Sequence, residues 1–117
     1  MKPSRTFQDL LVWQKAHKLV LSIYKMTHNL PKHELFGLTS QIRRAAVSVP
    51  ANIAEGFSRR TNRDKLRFYC FSQSSLDEVR YYTILINDLK YSEVASISEE
   101  IIEVSKILSA YMSSLGK

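Results

Sequence analysis

The chain has 117 residues, 44% hydrophobic and 24% charged, with only three glycines and three prolines. That length fits one domain with a modest core; the composition argues against a disordered chain, and so few turn-forming residues argue against a β-sandwich or barrel. The formal net charge is +6, and it is unevenly placed: residues 1–67 carry 13 Lys and Arg against four acids (+9), whereas residues 68–117 carry four against seven (−3).

The first apolar period spans about residues 7–29. Trp13, Ala16, Val20, Ile23 and Thr27 form its stripe, and Leu10, Leu11, Leu19, Leu21 and Tyr24 widen it, which predicts contact with more than one helix or with another subunit. The pair Leu30-Pro31 stops it, because a residue before proline is pushed out of the helical region. The second helix is predicted over about 33–57, with Leu35, Leu38, Ile42, Ala46, Val49, Ile53 and Phe57 facing inward. Pro50 interrupts that pattern and predicts a kink, since proline removes a backbone donor and crowds the preceding turn. It also frees the Ala46 carbonyl, for which Ser48, Asn52 or a water is the expected donor.

The third helix is predicted over about 62–90, capped by Thr61 or Asn62, with Asp64 in its first turn. Leu66, Tyr69, Gln73, Leu76, Val79, Thr83, Ile86 and Leu89 carry the repeat. The fourth, about 97–115, has Ile97, Ile101, Val104, Leu108, Tyr111 and Leu115 spaced alternately by four and three, the seam of a helix packed nearly parallel to its neighbours. Ser96 with Glu99, or Ser98, is the expected cap. Short links make successive helices antiparallel. The predicted fold is therefore all-α: one domain over 1–117, an up-down-up-down antiparallel four-helix bundle whose second helix is kinked at Pro50.

A basic first half points to a polyanionic partner, nucleic acid before a membrane. The longest apolar run, residues 10–13, is far below the ~20 residues that span a bilayer. With a single cysteine and no apolar leader, the expected location is the reducing cytoplasm. Cys70 reads as a small buried hydrophobe. Bundles that hold two metal ions need inward Glu and Glu-x-x-His spacing, and neither His17, His28 nor His33 has a Glu three residues before it. There is no phosphate-binding glycine loop, no Cys-x-x-Cys and no nucleophile elbow. The expectation is no catalytic residue, no metal, no cofactor and no enzymatic activity.

Along the second helix, Gln41, Arg44, Ser48, Asn52 and Glu55 form a polar row beside the apolar face. A solvent face and a packing network are both open readings. The short polar groups among Ala45, Ala46, Ala51 and Ala54 favour the network, because such residues permit close helix approach. Glu55 is also placed to pair with Arg59.

The run LTSQIRRAAVSVPANIAEGFSRR (38–60), the segment FSQSSLDEVRYY (71–82) and the opening FQDLLVWQKAHKLV resemble the bacterial four-helix bundle proteins encoded by intervening sequences in 23S ribosomal RNA genes. The resemblance covers nearly the whole chain. It implies a homopentamer, and a distant relation to the accessory proteins of diversity-generating retroelements, which are basic pentamers that bind nucleic acid and a reverse transcriptase. It brings no catalytic residues.

The expected function is thus a non-enzymatic, homo-oligomeric protein that binds RNA or DNA through phosphate contacts; the alternative is a protein–protein scaffold or accessory subunit. Arg43, Arg44, Arg59, Arg60, Arg63, Lys65 and Arg67 are the expected phosphate ligands around the junction of the second and third helices, with Lys15, Lys18 and Lys25 as a second patch. Gln41, Ser48, Asn52 and Glu55 are expected to hold structure rather than ligand.

Overall fold

The computed structural model describes residues 3–116. Among them are four α-helices, α1 (Leu11–Thr27), α2 (Ser40–Phe57), α3 (Asn62–Asp88) and α4 (Ala95–Leu115), and no strand. Each helix packs on its neighbours in the chain, and α4 returns to α1, so the four form a closed antiparallel bundle with α2 against α3 as its most extensive contact. The core is one cluster that includes Ala16, Leu19 and Ile23 of α1, Ile42, Val49 and Ile53 of α2, Tyr69, Val79 and Ile86 of α3, and Ile101, Val104 and Leu108 of α4.

Helix ends are set locally. Before α1, Thr6 and Asp9 close a single 3₁₀ turn, Phe7–Asp9, by reciprocal capping: the Thr6 hydroxyl accepts from the Gln8 amide at 3.2 Å and the Asp9 carboxylate accepts from the Thr6 amide at 3.2 Å. Leu10 is extended, so the first predicted helix is a turn followed by α1 rather than one element from residue 7.

The second predicted helix is divided as well. Residues Lys32–Glu34 form a 3₁₀ turn and Leu35–Thr39 a π-helical turn, with Gly37 at φ −113°, ψ −110°. A backbone outside the helical region there turns Leu35 and Phe36 outward, and Leu35, expected in the core, is exposed. α2 then runs through Pro50. The carbonyls served by side chains near the proline are Val49, from the buried Ser72 hydroxyl at 2.8 Å, and Ser48, from the Asn52 amide at 2.9 Å. Among the described residues no side-chain donor reaches the Ala46 carbonyl, because Ser48 and Asn52 bond to each other and to Ser75 instead.

Thr61 caps α3 by accepting from the Asp64 amide at 3.1 Å. The α3 seam of Tyr69, Ser72, Leu76, Val79, Thr83 and Ile86 is buried. Cys70 is exposed, contrary to its reading as a core residue; one residue along from Tyr69 is about 100° around the helix, away from the seam. α3 ends on Lys90 at φ 61°. The Tyr91 amide donates to the Ile86 carbonyl at 3.1 Å and the Lys90 amide to Asn87 at 3.0 Å, the paired bonds of a left-handed helix terminus. α4 starts at Ala95 without a side-chain cap. The first turn begins two residues earlier than the apolar period suggests, so neither Ser96 nor Ser98 occupies the capping position.

Candidate nucleic-acid interface

The basic corner is built on a close helix crossing. A Cβ placed on Gly56 would lie 2.6 Å from the Tyr69 ring and 3.1 Å from Phe68 Cβ, so only glycine lets α3 approach α2 this closely. The crossing brings the last turn of α2 beside the first turns of α3. Lys65 reaches back from α3, and its ammonium donates to the Phe57 and Gly56 carbonyls, satisfying acceptors that a helix C-terminus leaves open. The Asn62 amide donates to the Leu115 carbonyl at 3.2 Å and ties the corner to the end of α4.

This frame leaves Arg59, Arg60, Arg63 and Arg67 exposed around the α2–α3 turn. Arg59 lies over the Phe68 ring at 4.5 Å and Arg67 at 5.2 Å. Stacking of this kind orders a guanidinium while leaving its N–H donors outward. Among the described residues the one ion pair is Lys15 with Glu103 at 3.4 Å, so within that set none of the four corner arginines forms an ion pair, although Glu55 and Asp64 are exposed nearby. Glu55 and Arg59, placed to pair by sequence, do not; Arg59 takes the aromatic face instead.

The other expected phosphate ligands lie elsewhere. Arg43 and Arg44 precede Arg59 and Arg60 by sixteen residues, about 24 Å along a helix, and belong to the opposite end of α2. Arg43 is a strut between helices: its Nε donates to the Thr27 hydroxyl at 2.8 Å and its guanidinium sits 4.6 Å from the Tyr24 ring centroid. Arg44 is exposed and donates to Gln41 at 3.2 Å. Lys65 is spent on capping α2. The second patch faces acids: Lys15 pairs with Glu103, Lys18 shares a cavity with Glu99, Glu100 and Glu103, and Lys25 shares one with Glu93. The largest group of exposed cations outside such acidic surroundings is thus the corner, with Arg44 exposed at the far end of α2.

The polar row divides in the same way. Ser48 and Asn52 are half-buried, and Ser48 meets Ser75 of α3 at 2.7 Å. Gln41 and Glu55 are exposed. The row's partner in α3, Ser75, carries no signal in the sequence beyond its place on the buried side of the helix; nor does Phe68, whose role depends on one arginine from the α2–α3 turn and one from α3.

Two tyrosines have altered acidity. The Tyr69 hydroxyl is buried and makes no well-aligned hydrogen bond among the described residues; burial first, then the neighbouring Tyr111 hydroxyl, pushes its pKa well above the ordinary value. Desolvation also raises that of Tyr91, helped by donation to Glu34 at 3.1 Å. No three His, Cys, Asp or Glu side chains gather in a metal-binding arrangement among the described residues, and no helix is long and apolar enough to cross a membrane.

The architecture defines a small antiparallel four-helix bundle with an arginine-rich corner. Residues 8–110 match the family model described as 23S rRNA-intervening sequence protein. The chain belongs to that family. No curated protein matches it.

Proposed function

We propose that this chain is a non-enzymatic, homo-oligomeric protein, pentameric by family resemblance, that binds nucleic acid through phosphate contacts at the α2–α3 corner. The observation that carries this reading is the group of four exposed arginines, Arg59, Arg60, Arg63 and Arg67, none paired with a carboxylate among the described residues. Arginine forks match phosphate oxygens and contact them without reading sequence. Repeating the corner once per subunit raises avidity without any new contact type. The family name refers to the position of a gene and assigns no activity.

Protein purified without nuclease tests this directly. The expected result is co-purifying nucleic acid that is lost when Arg59, Arg60 and Arg63 are replaced together by Ala. In filter binding, structured RNA and duplex DNA are both retained at ~50 mM salt with little sequence preference; no retention of either overturns the proposal.

A protein-partner reading rests on a different observation, the exposed apolar side chains at the other end of the bundle. Leu35, Phe36, Tyr24 and Val47 form one such surface beside Arg43 and Arg44. A scaffold working through that surface binds its partner equally well with the corner arginines removed.

A further inference from the structure

Beside the corner arginines stands a ring that the bundle core does not use. Phe71 of α3 is 48% exposed, and its ring lies 5.7 Å from that of Phe68 at 87°, an edge-to-face pair. A single exposed phenylalanine is ordinary by itself. This one is set among cations. Arg59 and Arg67 lie over the half-buried Phe68 ring at 4.5 and 5.2 Å, so the aromatic surface beside them that is open to solvent belongs to Phe71.

The register of α3 explains the arrangement. Arg63, Arg67 and Phe71 are four residues apart and follow one another along one strip of the helix. The strip rises by about 12 Å, the length of three or four stacked nucleotides at ~3.4 Å each. Arg60 precedes it in the α2–α3 turn, and Asp64, next to Arg63, is about 100° farther around the helix. Beyond Phe71 the surface changes sign, with Asp77 and Glu78 exposed on the following turns. Phe71 therefore marks the end of the cationic strip.

Phosphate oxygens satisfy arginines whether they belong to a duplex or to a single strand. A phenyl face separates the two. The bases of a duplex are paired and stacked on each other, and the ring finds no free face among them. Unpaired bases have free faces and stack on aromatic side chains with little regard to sequence, and a basic track with such a platform is the combination that holds single strands.

We propose that this corner takes a single strand of nucleic acid, its phosphates on Arg60, Arg63 and Arg67 and one unpaired base stacked on the Phe71 ring. The inference rests on the nucleic-acid reading of the corner and names the form of its ligand. A phenyl face reads neither the base nor the sugar, so RNA and DNA strands both fit this contact.

Fluorescence anisotropy on the full chain tests it at ~50 mM salt, with probes of ~12 nucleotides: a thymidine strand, the same strand made abasic, and a duplex. The parent is expected to bind the thymidine strand about 5- to 150-fold more tightly than the abasic one, which carries the same phosphates. Phe71→Ala is expected to remove that advantage. Affinity for the abasic strand and the duplex, and the slope of log K against log salt, stay unchanged, because no phosphate contact is lost. Phe71→Tyr keeps a stacking face and is expected to bind as the parent does, whereas Phe71→Leu, apolar without such a face, is expected to behave as Phe71→Ala. A Phe71→Ala protein that binds the thymidine strand like the parent, or a parent that binds both strands alike, overturns the stacking contact and leaves the phosphate reading intact. A loss shared equally by all three probes also overturns it, since it marks Phe71 as part of the framework or of a contact between copies. A parent that binds none of the probes overturns both.

Discussion

Replacing Gly56 with Ala tests the contact on which the basic corner is built. The added methyl would sit 2.6 Å from Tyr69 Cε1 and 3.0 Å from Cζ, where carbon pairs are comfortable at about 3.5–4.0 Å. The ring has little room to retreat, since Tyr69 is fully buried and packs on Tyr111 with centroids 5.3 Å apart. One of the two helices must therefore move by several tenths of an ångström or more. Overpacking of this kind costs about 1–3 kcal/mol, offset by at most about 0.5–1 kcal/mol because Ala is the better helix former. The net expectation is a loss of up to about 2.5 kcal/mol, centred on about 1 kcal/mol or roughly 3–6 °C in Tm for a domain of this size. Urea and thermal unfolding followed by far-UV circular dichroism measure it, with Gly116→Ala as the control, because a Cβ there meets nothing closer than 3.6 Å. A Gly56→Ala protein as stable as the parent, or more stable, refutes the close crossing.

Two further substitutions probe the helix end and the core. Lys90 ends α3 in the left-handed region at φ 61°, a conformation that glycine adopts without the Cβ penalty, so Lys90→Gly is expected to raise stability by about 0.5–1 kcal/mol by urea denaturation. The Tyr69 hydroxyl is buried with no well-aligned hydrogen bond among the described residues, so Tyr69→Phe is expected to leave stability unchanged or to raise it by about 1 kcal/mol near neutral pH, whereas a hydroxyl that contributed a hydrogen bond would make the change destabilising. The same group sets an alkaline limit. Because its folded pKa lies above the unfolded value of about 10, the unfolded chain binds fewer protons once pH passes ~10, and stability falls as pH rises. Tyr69→Phe is expected to flatten that fall in a Tm-against-pH series.

Much of the fold is legible in the spacing of apolar residues. The α4 seam from Ile97 to Leu108 is buried at every predicted position, and Thr61 caps α3 where its side chain and the following Asp64 suggest. The misreadings have separate physical causes. Leu35 continues the α2 stripe in sequence, yet the backbone at Gly37 turns it outward with Phe36. Lys90 gives no sign of a left-handed terminus, because the two backbone bonds that hold it involve no side chain. Cys70 is apolar in type and lies one residue off the seam.

The candidate site was legible in type and not in membership. Basic residues are easy to count, but whether a side chain is free depends on partners from distant segments. Arg43 is held by Tyr24 and Thr27, Lys15 by Glu103, and Lys65 by two carbonyls of the preceding helix. The four arginines after Phe57 form no ion pair among the described residues, and their support by the Phe68 ring required the α2–α3 crossing to be known.

The most direct test of the nucleic-acid reading is the salt dependence of binding, measured for the parent and for Arg59→Ala/Arg60→Ala/Arg63→Ala on one duplex DNA and one structured RNA. Each phosphate contact contributes a slope of about −0.9 on duplex DNA and about −0.7 on a single strand. Loss of three contacts is therefore expected to make the slope of log K against log salt shallower by roughly 2 to 3, together with a uniform loss of affinity across sequences. A parent and variant with the same slope and the same affinity would contradict the account.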